Sequence, residues 1–143
     1  MKNNKQPKRW FMAASLGALL AVTGGSYWLV EHPEYLIRSS SERTIKQASQ
    51  AVKKQPQVWV FYQPGCQACR KVAVQLLVTG WQLKLSNQSE VVHVDTKLAR
   101  NRAVVKQFSI KHTPTIIRRS SQHYWQYQGT NTQKIKAIMT GEN

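Results

Sequence analysis

From residue 42 onward, the spacing of apolar positions switches repeatedly between helical and strand periods. Ile45, Ala48 and Val52 fall on one face between Lys46, Lys53 and Lys54, which predicts a helix from Glu42 to about Lys54. Ser39 and Glu42 ahead of it have capping-box spacing, and Gln55-Pro56 ends it. Val58–Tyr62 is a short continuous apolar run, as in a strand covered on both faces. Gln63-Pro64-Gly65 breaks that run. Cys69, Val72, Ala73, Leu76 and Leu77 then trace the core face of a helix that starts near Cys66 and is expected to stop at Gly80. Val91–Val94 predicts a second strand, and Leu98–Phe108 a helix with Val104, Val105 and Phe108 inward. Thr115–Arg118 and His123–Tyr127 read as two strands joined through Ser120-Ser121-Gln122. After Gly129, Thr130 and Gln133 repeat the capping-box spacing, and Ile135, Ile138 and Met139 give a last helix its apolar face. Trp59, Trp81 and Trp125 read as packing residues, and His93 as a satisfied strand residue.

The predicted order is α-β-α-β-α-β-β-α, an α/β chain. Strands that alternate with helices require parallel crossovers, while the last two strands form a hairpin. The layout that satisfies both is a three-layer α/β/α sandwich around a four-stranded mixed sheet.

The first thirty residues follow other rules. Trp10–Val30 is 21 residues without a charge, roughly 31 Å long as a helix and enough for a hydrocarbon core. Lys2, Lys5, Lys8 and Arg9 precede it with no acidic residue among them, so the positive-inside rule keeps the N-terminus in the cytoplasm. The expected organisation is a cytoplasmic basic tail (1–9), a single transmembrane signal-anchor helix (10–30), a linker (31–41) and an extracytoplasmic domain (42–143) at the cell membrane. The competing reading is a cleaved signal peptide, with Met12–Val22 apolar and Thr23-Gly24-Gly25-Ser26 small, although no A-x-A pattern stands there. Cleavage would yield a secreted domain on the same side.

Charge adds a partner class. The chain carries a formal +15, and residues 31–143 hold 17 of the 21 Lys+Arg and all 6 Asp+Glu, a net of +11. Such a field attracts anions. No Lys/Arg block is interleaved with aromatics in the manner of a base-stacking platform, so no specific nucleic-acid partner is expected.

Cys66 and Cys69 are the two cysteines, which rules out a disulfide framework. Structural zinc needs four ligands. No second Cys pair exists and His32, His93, His112 and His123 lack ligand spacing, so no metal is expected. A merely structural disulfide across two residues gains little from so small a loop. Redox exchange fits better. Only a thiolate attacks a disulfide, and a helix N-terminus favours the anion. Cys66 holds that place, with Arg70 and Lys71 one turn on, while Cys69 lies on the apolar stripe. Cys66 is thus the expected nucleophile and Cys69 the resolving thiol.

Over residues 42–141 the chain resembles the thioredoxin-like superfamily. The carriers are the strand Val58–Tyr62, Cys66-Gln67-Ala68-Cys69 after it, Thr113-Pro114 opening a later strand 48 residues beyond Cys66, and Gly129 before the last helix. The resemblance implies a cis Pro114 facing the cysteines, with the Thr113 backbone beside Cys66 as an edge for a substrate peptide. It implies no cofactor beyond the redox-active Cys66–Cys69 pair. It also implies thiol–disulfide oxidoreductase activity on the cysteines of protein substrates; outside the cytoplasm a reductase of this kind would need a membrane redox partner for recycling. His112 is a possible modulator of the thiols, or simply a loop histidine. Three departures stand out. Gly65-Cys66-Gln67-Ala68-Cys69 replaces Trp-Cys-Gly-Pro-Cys. Val60 stands where many thioredoxins bury an Asp. No N-terminal strand precedes the first helix. The direction of electron flow therefore stays open. The alternative to an enzyme is a non-catalytic accessory subunit of a secretion, conjugation or export machine.

Overall fold

A computed structural model describes residues 25–50 and 55–142. The chain divides into Met1–His32 and Pro33–Asn143. In the first part, residues 25–31 form a helix, α1, with exposed side chains. Most of the expected membrane segment, residues 10–24, lies outside the described residues, as does the basic tail. Among the described residues no helix is long and apolar enough to cross a membrane.

The second part runs through a 3-10 turn Pro33–Leu36, α2 (Glu42–Gln50), β1 (Gln57–Tyr62), α3 (Gln67–Leu85), β2 (Glu90–Asp95), a 3-10 turn Ala99–Asn101, α4 (Arg102–Gln107), β3 (Thr115–Arg119), β4 (Tyr124–Gln128) and α5 (Thr132–Thr140). The sheet order is β2-β1-β3-β4. β1 pairs parallel with β2, Val60 opposite His93, and antiparallel with β3, Val60 opposite Ile116. β3 and β4 form the expected hairpin.

β1 shows why the sheet needs two helical layers. All six of its residues are buried. Successive side chains point to opposite faces. Val58, Val60 and Tyr62 pack with Cys69, Val72, Leu76 and Leu83 of α3 and Ile135 and Met139 of α5. Trp59 and Phe61 pack on the other side with Ile45 and Ala48 of α2 and Val104 of α4. Fully burying side chains of this size contributes about 1.5–3 kcal/mol each. The three-layer α/β/α sandwich and four-stranded mixed sheet are thus present in Pro33–Asn143.

Several local expectations shift. Part of the segment 31–41 packs into the domain. Glu34 and Ile37 are buried, and the Tyr62 hydroxyl donates to the Ile37 carbonyl at 2.7 Å. The cap of α2 is Ser41, whose Oγ accepts from the Thr44 N–H at 3.1 Å. Ser39 instead accepts from the Asp95 N–H and the Asn101 amide, tying that segment to β2. Likewise Asn131, not Thr130, caps α5 by accepting from the Lys134 N–H at 3.0 Å. A choice between polar residues one or two positions apart is settled by tertiary contacts that spacing does not carry. α2 is described only to Gln50, so its expected last turn lies outside the described residues.

Gly80 does not stop α3, which continues to Leu85. A Cβ there would lie 3.7 Å from Val91 and 3.8 Å from the His93 ring, ordinary contact distances, so the helix crosses β2 with room for a small side chain. The single helix expected over 98–108 is a 3-10 turn followed by a short α-helix. Trp59 and Trp125 do pack with the core, but Trp81 is 72% exposed. His93 lies among buried groups and its Nε2 has no hydrogen-bond partner, so it is not the satisfied residue expected.

Candidate active site

Pro64-Gly65 lets β1 turn directly into α3. Gly65 has φ +76°, a left-handed conformation that glycine adopts without a Cβ penalty. Cys66 follows as the N-cap of α3, with extended backbone and no side-chain cap. The backbone N–H groups of Ala68 and Cys69 are the helix donors nearest its thiol. The Cys66 carbonyl already accepts from the Arg70 N–H at 3.0 Å. Cys69 is one turn along and fully buried, whereas Cys66 is half-buried, and both thiols are free.

The loop before β3 closes the site. The Thr113–Pro114 peptide is cis and Pro114 is buried. The Thr113 hydroxyl donates to Cys66 Sγ at 3.7 Å, and the Cys66 thiol lies 3.8 Å from the Thr113 carbonyl. Cys66, Cys69, Thr113 and Pro114, far apart in sequence, thus meet at one end of the sheet. His112 does not join them. It is exposed, its carbonyl accepts from the Thr115 hydroxyl at 2.7 Å, and among the described residues no hydrogen bond links its imidazole to either thiol. It lines a groove of about 90 Å³ with Gln63, Thr96, Val105, Ile110, Lys111 and Thr113.

The two thiols differ in acidity. Partial burial opposes ionisation of Cys66, but the Cys69 backbone N–H, the Thr113 hydroxyl, the Cys69 thiol and the Ala68 N–H outweigh it. The Cys66 pKa lies below that of an ordinary thiol. Burial pushes Cys69 up to about 11; Thr113 and the Gln63 backbone pull it down, and the neighbouring Cys66 pushes it further up. The donors that stabilise the Cys66 anion are hydrogen bonds at a helix start, not the expected cations. Arg70 is committed elsewhere, its Nε 3.2 Å from Glu34 Oε1, and the Glu34 side chain is 0% exposed.

Glu34 is the residue that periodicity missed. The 3-10 turn Pro33–Leu36 packs against α3, placing Glu34 on Arg70 and the Tyr35 hydroxyl 3.5 Å from where a Gly65 Cβ would stand. The signal available was a scarce acidic residue directly after a proline, in a chain with 6 acidic side chains. Val60 packs in the same apolar cluster as Cys69 and brings no carboxylate to the thiols. Among the described residues, no group of three or more His, Cys, Asp or Glu is arranged to hold a metal ion.

This arrangement has counterparts. A family model described as Thioredoxin matches residues 39–141. The germline-specific thioredoxin Deadhead of Drosophila melanogaster superposes with a TM-score of 0.60 at 14% identity, over 73% of this chain and 98% of that one. Thioredoxin O2 of Arabidopsis thaliana, in its oxidized state, gives 0.59 at 16% identity over 71% and 88%. The thioredoxin of Fasciola hepatica gives 0.56 at 19% over 69% and 91%. No curated protein sequence is similar enough to count as a match. Identities this low speak for the fold. The family match spans most of the chain and takes in both cysteines and the Thr113–Pro114 turn, and on that ground the chain belongs to the thioredoxin family.

Proposed function

We propose that this protein is a membrane-anchored, extracytoplasmic thiol–disulfide oxidoreductase acting on cysteines of protein substrates. The observation that carries the chemistry is the pairing of a half-buried, acidified Cys66 with a buried Cys69 whose pKa is raised to about 11. An accessory docking domain has no need for such a division between two free thiols. The location rests on the sequence: an uncharged stretch Trp10–Val30 behind four basic residues.

In the reductive direction, the Cys66 thiolate attacks one sulfur of a substrate disulfide. A Cys66–substrate disulfide forms and the first substrate sulfur leaves as a thiolate. The Thr113 backbone, whose carbonyl lies 3.8 Å from Cys66 Sγ, offers pairing to the extended substrate chain. Cys69 then loses its proton to solvent or to the departed thiolate and attacks Cys66 Sγ. The Cys66–Cys69 disulfide forms, the second substrate sulfur leaves, and two electrons have passed to the substrate. Bonding Cys66 to the substrate removes the neighbouring thiolate that helps hold the Cys69 pKa up, so the resolving step eases when it is needed. The same steps in reverse insert a disulfide, and a membrane redox partner would restore the starting state.

The test is trapping. Cys69→Ala in membranes should accumulate Cys66-linked mixed disulfides, seen as shifted bands on non-reducing gels and lost in Cys66→Ala. Absence of such bands while Cys66 still alkylates would return the accessory reading. Protease added to wall-stripped cells should digest residues 33–143; full protection of protein that is digested after lysis would refute the orientation.

A further inference from the structure

α3 is apolar on two faces. One face is in the core. On the other, Val74, Val78, Trp81 and Leu85 are 59, 49, 72 and 76% exposed. Their spacing of four, three and four residues confines them to an arc of about 60° at 100° per residue, a continuous stripe along the helix. Leu77, Val78 and Trp81 enclose an apolar hollow of about 240 Å³ beside it. Soluble domains seldom leave such a stripe bare, and no described element of Pro33–Asn143 covers it.

The flanks identify the occupant. Lys71 lies along one side of the stripe and Lys84 along the other, both exposed, and α3 has no Asp or Glu. A second copy is a poor fit. Either pairing of two α3 stripes gathers the Lys71 and Lys84 of both copies around the rim of one interface, with no acidic residue on the helix to compensate. A narrow apolar stripe bearing an indole and bordered by lysines, on a part of the chain with net charge +11, matches the interface of an anionic bilayer. We infer that α3 seats the domain on an anionic membrane surface, with Val74, Val78, Trp81 and Leu85 among the acyl chains and Lys71 and Lys84 at the headgroups. This rests on the anchored reading only for bringing the domain near lipid, since residues 31 and 32 alone separate the apolar segment from Pro33. Cys66 is eight residues before Val74, roughly 12 Å along the axis. The nucleophile thus stays beyond the seated stripe, at the membrane surface, where protein segments leaving the bilayer would meet it.

Trp81 fluorescence tests this in the full chain reconstituted into vesicles of equal parts phosphatidylglycerol and phosphatidylcholine, with and without brominated acyl chains. The Trp81 signal is the difference between the native chain and Trp81→Phe. Brominated lipid should quench that difference roughly twofold or more, and pure phosphatidylcholine or Val78→Ser with Leu85→Ser should abolish most of the quenching. Both serines replace exposed residues, so circular dichroism should show an unchanged fold. An unquenched Trp81 signal in the anionic vesicles overturns the inference. So does quenching that is indifferent to both lipid charge and the serine pair, or a short amine-to-amine cross-link joining Lys71 or Lys84 of two copies. Carbonate extraction reads the anchor separately. A chain that resists carbonate with Trp81 unquenched refutes the seat and keeps the anchor, while one that is extracted yet quenched by anionic vesicles refutes the anchor and keeps the seat.

Discussion

Arg70→Met should destabilise the domain by about 3 kcal/mol, and Glu34→Gln by only about 1 kcal/mol, although both break the same contact. The asymmetry follows from where the two charges lie. The Glu34 side chain is 0% exposed and the Arg70 side chain 40%, with 3.2 Å between Nε and Oε1. Removing one partner of a buried pair typically costs about 3–5 kcal/mol because the other charge is left desolvated. Water already reaches the guanidinium, which places Arg70→Met at the lower end of that range. Glu34→Gln leaves a cation that can turn outward into solvent, so its cost is nearer that of an exposed pair. Urea titrations of the native chain, both single variants and the double variant would measure this. The double variant should cost less than the sum of the singles, as expected for residues in contact. Equal costs for the singles, or a loss under about 1 kcal/mol for Arg70→Met, would refute the reasoning. A second readout separates stability from chemistry. The donors that acidify Cys66 are backbone groups, Thr113 and Cys69, with Arg70 not among them, so the alkylation pH profile of Cys66 should stay in place in Arg70→Met.

Other expectations concern the same scaffold. Thr113→Val removes the hydroxyl at 3.7 Å and should move the Cys66 alkylation profile to higher pH, with Cys69 still the slower thiol; an unmoved profile would exclude Thr113 as a thiolate donor. His93 has its pKa lowered by burial from 6.5 to about 4, so between those values the unfolded chain binds the extra proton. Its contribution is therefore full above pH 6.5 and is lost as pH falls through 4, a change of about 3 kcal/mol. His93→Phe should flatten that acid limb, and an equally steep limb in the variant would clear His93 of the effect. Gly80→Ala should raise stability by about 0.5–1 kcal/mol, since a Cβ meets Val91 and His93 at ordinary contact distance inside a helix; a loss in thermal melts would mean the helix–strand approach is tighter than 3.7 Å.

The order of elements and the cysteine pair were legible because each rests on local rules. Alternating faces in Val58–Tyr62 demand two covering layers, and a Cys after Pro-Gly at a helix start is readable from four residues. Sequence reasoning failed where a residue answers to a distant one. Ser39 looked like a helix cap and serves β2, 54 to 56 residues away. Gly80 looked like a stop and is a contact point with a strand. Trp81 reads as a packing residue, yet its helical phase matches Val74, Val78 and Leu85 on the outer face. Glu34 falls in a stretch with no periodicity, so its place after Pro33 is the one local mark it carries.

The sheet ends on β2, and its outer edge is guarded by two serines. The Ser40 N–H donates to the His93 carbonyl at 2.8 Å, the His93 N–H donates to Ser40 Oγ, and Ser39 takes the Asp95 N–H. A chain shortened to begin at residue 42, where helical periodicity starts, would lose those partners together with Ile37 and Glu34. It would bare a β-branched strand edge of the kind that recruits strands from other molecules. Such a fragment should aggregate from a still correctly paired sheet, and the natural place to begin a self-standing domain is Pro33 or earlier.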